Sequence, residues 1–184
     1  MTRDEGLRLL EAHVHADNLR KHCLASEAIM RELAVKLNQE VDLWGLMGLL
    51  HDLDFEATRE APSLHGLKTV EMLSPYGFPR EATDAVLRHN AEALQLERET
   101  VLDFALTCAE SVTGLIVAAA LVHPDKKIES LSPKSVRKRM KSKDFARNVN
   151  REHVALCERI GIPLMDFIGL SIGAMATISD QLGL

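Results

Sequence analysis

The segment over residues 42–53 constrains the fold most. It reads Asp-Leu-Trp-Gly-Leu-Met-Gly-Leu-Leu-His-Asp-Leu. A helix carrying Leu43, Trp44, Leu46, Met47, Leu49 and Leu50 is apolar almost all round, so other elements must enclose it. It is expected to be the central helix, and it ends in a polar pair, His51-Asp52. Enclosing it takes many apolar residues. Hydrophobic residues make up 46% of the chain but aromatics only 4%, so Leu, Ala, Val, Ile and Met must do the packing. That composition favours helix over strand.

The rest of the chain reads as helices around that centre. Thr2 and Glu5 have capping-box spacing and open a helix over 3–15. Asp17 is placed to cap a second helix reaching 37, with Leu19, Cys23, Ser26, Ile29, Met30, Leu33 and Leu37 on one stripe. A charged loop over 54–62 leads to a short helix over 64–73. Ser74-Pro75-Tyr76-Gly77 is a turn, and Pro79 fits the first turn of a helix carrying Ala82, Val86 and His89. A long helix is predicted over 100–122. Ser132 and Pro133 cap and open a basic helix, and two more follow over 151–160 and 163–181. No strand, repeat or linker is evident. At 184 residues the chain is expected to form a single domain over 1–184, with all-α architecture.

Charge and cysteine usage exclude some classes of function. A net charge of −5 is unlike a general nucleic-acid binder, so no nucleic-acid partner is expected. Cys23, Cys108 and Cys157 are odd in number and widely spaced. They form no zinc or redox motif and read as reduced core residues. Met1-Thr2-Arg3-Asp4-Glu5 lacks an apolar leader. The longest strongly apolar run, over 115–122, is too short to cross a bilayer. A cytoplasmic protein with no membrane partner is expected.

Several polar residues sit where helical stripes call for apolar ones: His22, His51, His89 and Glu110, with Asp52 at the end of the most buried helix. A buried carboxylate is costly unless it is paired or bound to a metal. A divalent cation would neutralise the carboxylates and accept imidazole nitrogens. The C-terminal end of a helix dipole also favours a cation near His51-Asp52. Adjacent residues on a regular helix point about 100° apart. At a helix end, where the backbone loosens, two neighbours can still converge on one ion.

The order His22, then His51-Asp52 after Leu49-Leu50, then His65-Gly66, then His89-Asn90, then Glu110 resembles the HD superfamily of metal-dependent phosphohydrolases. The strings Lys21-His22, Gly48-Leu49-Leu50-His51-Asp52-Leu53-Asp54 and Leu64-His65-Gly66-Leu67 are similar to a bacterial group of HD-domain hydrolases of unassigned substrate. The resemblance covers about residues 17–125, with C-terminal helices over 132–182 packed on that part. It implies a helical bundle with a metal site at its centre. It also implies a mononuclear ligand set of His22, His51, Asp52 and Glu110, to which His65 and His89 add a binuclear site bridged by Asp52. The implied cofactor is one or two divalent ions of iron, manganese, magnesium, cobalt or nickel.

Two departures stand out. The family usually has aspartate where this chain has Glu110, and Leu53-Asp54-Phe55-Glu56 replaces the usual Ile-Gly and lysine after the His-Asp pair. Lys68 lies three residues after His65 and would share its helix face, so it is a candidate to meet a substrate phosphate. An ordinary solvated lysine is the plainer reading. The stretch 134–151, with Lys134, Arg137, Lys138, Arg139, Lys141, Lys143, Arg147 and Arg151 against Asp144 alone, would bind phosphate if it folded over the site. Its plainer reading is a solvated helix. His13, His15, His123 and His153 fall outside the pattern and read as surface or structural residues.

The expected function is hydrolysis of a small-molecule phosphate ester, such as a nucleotide, by metal-activated water, with Asp52 also orienting the water. The alternatives are a degenerate HD domain that binds metal or nucleotide as a regulatory module, and a di-iron oxidase.

Overall fold

A computed structural model describes residues 1–184. The helices are α1 (Arg3–His13), α2 (Asp17–Leu37), α3 (Val41–Leu50), α4 (Phe55–Thr58), α5 (Leu67–Leu73), α6 (Arg80–His89), α7 (Ala91–Leu94), α8 (Val101–Leu121), α9 (Pro133–Met140), α10 (Arg151–Ala155), α11 (Leu164–Ala176) and α12 (Ser179–Leu182). Short 3-10 turns lie at Pro62–Leu64, Ser74–Tyr76 and Leu156–Ile160, and there is no strand. The architecture is all-α, as expected.

α3 is the enclosed centre. Met47, Leu49 and Leu50 have no exposed surface, and each such burial contributes about 2 kcal/mol. α2 packs along α3 more extensively than any other pair, and α8 lies across α2. α6, α9, α10 and α11 also pack on α8. One apolar cluster runs through all of these, from Leu10 to Leu182. The three cysteines are free and buried in it.

α8 spans 21 residues and is apolar enough to cross a membrane by length and composition, but 67% of its most apolar window is buried in the fold. It is a core helix, longer in apolar character than the run over 115–122 suggested. Thr100 and Asp103 form a capping box at its start.

Several boundaries differ from the sequence reading. Asp17 is the first residue of α2, not its cap; Ala16 holds the cap position without a side-chain bond. The carboxylate of Glu56 instead accepts hydrogen bonds from the amides of His15 and Ala16, fixing the α1–α2 turn from afar. α3 stops at Leu50, so His51 is its C-cap. The loop over 54–62 contains α4, and α5 starts at Leu67 after Gly66, whose φ of 90° breaks the helix. The last predicted helix is split in two at Thr177-Ile178.

Candidate metal centre

Four imidazoles from four parts of the chain meet at Asp52. His22 comes from the middle of α2, His51-Asp52 from the end of α3, His65 from the turn before α5, and His89 from the end of α6. Asp52 is 6% exposed. Its Oδ1 lies 3.5 Å from His51 Nε2, 3.2 Å from His65 Nε2 and 3.5 Å from His89 Nε2, and its Oδ2 lies 3.6 Å from His22 Nε2. Two ligand groups result, His22–His51–Asp52 and Asp52–His65–His89, with ligand atoms in each within 4.8 Å of one another and Asp52 common to both.

The Nδ1 atoms explain why the rings point this way. His51 Nδ1–H donates to the Gly48 carbonyl and His89 Nδ1–H to the Val86 carbonyl, acceptors that leave the tautomer no choice. His22 Nδ1 bonds Thr113 Oγ1, whose own hydrogen goes to the Glu110 carbonyl. His65 Nδ1 bonds the Asp54 carboxylate at 2.7 Å. All four Nε2 atoms are thereby left facing inward. In the neutral rings they carry bare lone pairs, yet the Nε2 atoms of His22 and His51 are 3.2 Å apart and those of His65 and His89 are 2.9 Å apart. Lone pairs held that close, around a buried carboxylate, call for a cation among them, either a proton on His65 or a bound metal ion. Imidazole nitrogens oriented through their second nitrogen are the usual form of a metal ligand, so the residues present fit a divalent ion.

Asp54 is a site residue that the sequence reading placed in the charged loop. It is fully buried. Besides His65 it accepts the amides of Gly66 and Thr69 through Oδ2. Burial works to raise its carboxyl, but His65 and those two amides hold it below the usual carboxylate range. The signal available in sequence was the Asp-x-Asp spacing, with Asp52 and Asp54 both leaving the end of an apolar helix.

Glu110 falls in neither ligand group. It is half-buried on α8 one turn before Thr113, and its carboxylate accepts a bond from Ser111 Oγ. Burial pushes its carboxyl above the usual range, against the pull of His22 and His89. Lys68 is half-buried on α5 and lines neither of the two cavities that reach His22. His153, read from the sequence as a surface or structural residue, borders the site. It lines a cavity with His22 and Glu110, and its Nε2 is 2.9 Å from Glu92. In the basic stretch, Arg151 turns inward and donates to the carbonyls of Ala146 and Phe145, while Arg137 faces a separate cavity with Lys134, Lys138 and Lys141.

The HD domain family matches residues 19–111, which carry all five converging residues. The chain belongs to that family. No curated protein and no solved structure matches it. The HD domain match and the His/Asp cluster together support a metal-dependent function.

The electrostatics of this HD centre give a pH prediction. Burial opposes charge on His65, but hydrogen bonds to Asp52 and Asp54 overcome it and raise its pKa to about 9. Burial, with help from His89 and His22 and against Asp52, pushes His51 down to about 3. An unfolded histidine titrates near 6.5. The raised His65 therefore stabilises the metal-free fold fully below about 6.5, and that contribution is lost as pH rises through about 9. The depressed His51 acts oppositely, costing stability as pH falls from about 6.5 toward 3. Melting temperatures of the metal-free protein are expected to peak near pH 6–7 and fall on both sides. Metal loading near pH 7.5 should release about one proton per chain, from His65 and not from His51, readable by calorimetry in buffers of different ionisation enthalpy. A melting temperature that keeps rising from pH 7 to 9 would contradict the assignment.

Proposed function

We propose that this chain is a metal-dependent phosphohydrolase that cleaves a small-molecule phosphate ester, with nucleotides among the candidate substrates. The convergence of four inward Nε2 atoms on the shared carboxylate of Asp52 carries this reading. A divalent ion bound there supplies Lewis acidity, making a water acidic near neutral pH and taking up charge on phosphoryl oxygens.

The chain's own residues do the rest. Thr113, Gly48, Asp54 and Val86 fix the four rings, so little reorganisation is needed when substrate arrives. In this reading Asp52 also accepts a hydrogen bond from the attacking water and so aims it. His22, half-buried and bordering two open cavities, marks the side from which an ester can approach. A second reading, a regulatory module that binds metal or nucleotide without turnover, draws on the position of Glu110 outside both ligand groups.

Elemental analysis of the purified protein, paired with phosphate release from a panel of phosphate esters, separates the two. One or two ions per chain, with phosphate release that rises and falls with metal content, is the expected outcome. Bound metal with no release from any ester would favour the regulatory module.

A further inference from the structure

We infer that the groove between α2 and α8 is the substrate cleft, and that its far end holds an apolar organic group bearing a single phosphate rather than a chain of phosphates. The inference rests on the phosphohydrolase reading above. Two cavities, of about 380 and 320 Å³, share His22, Thr113 and Gly114, and so meet over the outer edge of the metal centre. Their other walls differ. Toward the C-terminal end of α8 the lining is Ala25, Val117, Leu121 and Leu182, with Lys21 as the one cation, and Lys21 is already paired with Asp17. Toward its start the lining is Glu110, Asn148, Asn150 and His153.

That distribution selects the substrate. Each further phosphate would need its own lysine or arginine, and Lys21 is the single one across both ends. The cluster of Arg137, Lys138 and Lys141 lines a third cavity that shares no residue with the other two. An apolar wall with a few polar groups is instead the usual lining for the organic part of a ligand. The position of Gly114 agrees. It is an exposed residue inside a 21-residue helix, where glycine weakens the helix relative to almost any other residue. An added Cβ would meet only Val149 Cγ2, at 3.1 Å. Backbone packing thus does not demand glycine, whereas an open passage between the two cavities does. In the reaction, water oxygen bonds to phosphorus, the bond from phosphorus to the ester oxygen breaks, and the leaving oxygen takes a proton derived from the water. The products are inorganic phosphate and a free hydroxyl compound whose apolar part lies against Val117 and Leu121.

The test uses the metal-loaded full chain with two probes, 1-naphthyl phosphate and inorganic pyrophosphate. The expected result is preference for the naphthyl ester, and a KM for it raised about tenfold or more in Gly114→Leu, with metal content at the wild-type level. An Arg137→Glu, Arg139→Glu variant should leave both probes unaffected. Preference for pyrophosphate, or a Gly114→Leu variant with an unchanged naphthyl KM, would overturn the inference. If wild type turns over neither these probes nor any ester of the panel above, the phosphohydrolase reading fails, and the groove is judged by fluorescence titration with 1-naphthyl phosphate. Saturable binding lost in Gly114→Leu would sustain the cleft, and absence of binding would overturn it.

Discussion

Replacing Asp52 with alanine should strip the protein of metal and lower phosphate release roughly 1000-fold, the upper scale for losing one charge-stabilising group. Both ligand groups contain this carboxylate, so its loss weakens both at once, whereas loss of any one histidine weakens one. The effect on folding should be far smaller. Burial works to raise the Asp52 carboxyl, and only His51, His65, His89 and His22 together pull it well below the usual range. A carboxyl held below its unfolded value contributes stability to the metal-free fold above that value, so the four imidazoles more than offset the cost of burying it. The metal-free Asp52→Ala protein should therefore melt below the metal-free wild type near neutral pH. With Asp52 gone His65 keeps Asp54 but loses one of its two carboxylate partners, so its pKa should fall from about 9 toward the ordinary value. The measurements are elemental analysis after gel filtration, phosphate release, and melting curves with and without metal. A variant that keeps its metal and its turnover would remove Asp52 from the centre of the site.

The parts of this site that were legible in sequence are those that break a pattern. His22, His51, Asp52 and His89 interrupt apolar stripes whose period is set by the helix, so each is conspicuous without any knowledge of the fold. His65 lies outside any regular helix and was reached only through the order of motifs in the resemblance. The residues that orient the rings break no pattern. Thr113 is one more small residue on a helix, and Asp54 looked like the start of a charged loop because its partners, the amides of Gly66 and Thr69, exist only once α5 has turned back on it. His153 reaches the mouth of the site because α10 packs on α8, a tertiary fact with no local signature. The same holds for Glu56, which fixes the α1–α2 turn through the amides of His15 and Ala16, while α2 has no side-chain cap. In the basic helix, Arg137 lines a cavity that does not reach His22.

Gly48→Ala should damage fold and site together, because one glycine serves both. A Cβ at this position would lie 2.7 Å from the Ser26 carbonyl oxygen, 2.8 Å from the Ser26 carbonyl carbon and 2.9 Å from Glu27 Cα. All three are backbone atoms of α2, so no rotamer change relieves the contact and α3 must move away from α2. That interface is the most extensive in the molecule. Overpacking of this kind costs about 1–3 kcal/mol or more, against about 1 kcal/mol gained from replacing glycine in a helix. A net loss near 2 kcal/mol would lower the melting temperature by about 4–8 °C. The Gly48 carbonyl also anchors His51 Nδ1, and the facing ring of His22 sits on α2 itself. Separating the helices therefore pulls His51 Nε2 away from His22 Nε2, now 3.2 Å apart, and metal affinity should fall about 10- to 100-fold. Gly45→Ala is the matched control. The three atoms nearest its Cβ all belong to the side chain of Arg31, which would have to change rotamer and give up its pairs with Asp42 and Glu27, so that variant should hold its metal and lose less stability than Gly48→Ala. Equal behaviour of the two variants would mean that the close approach of α3 to α2 does not set the geometry of the centre.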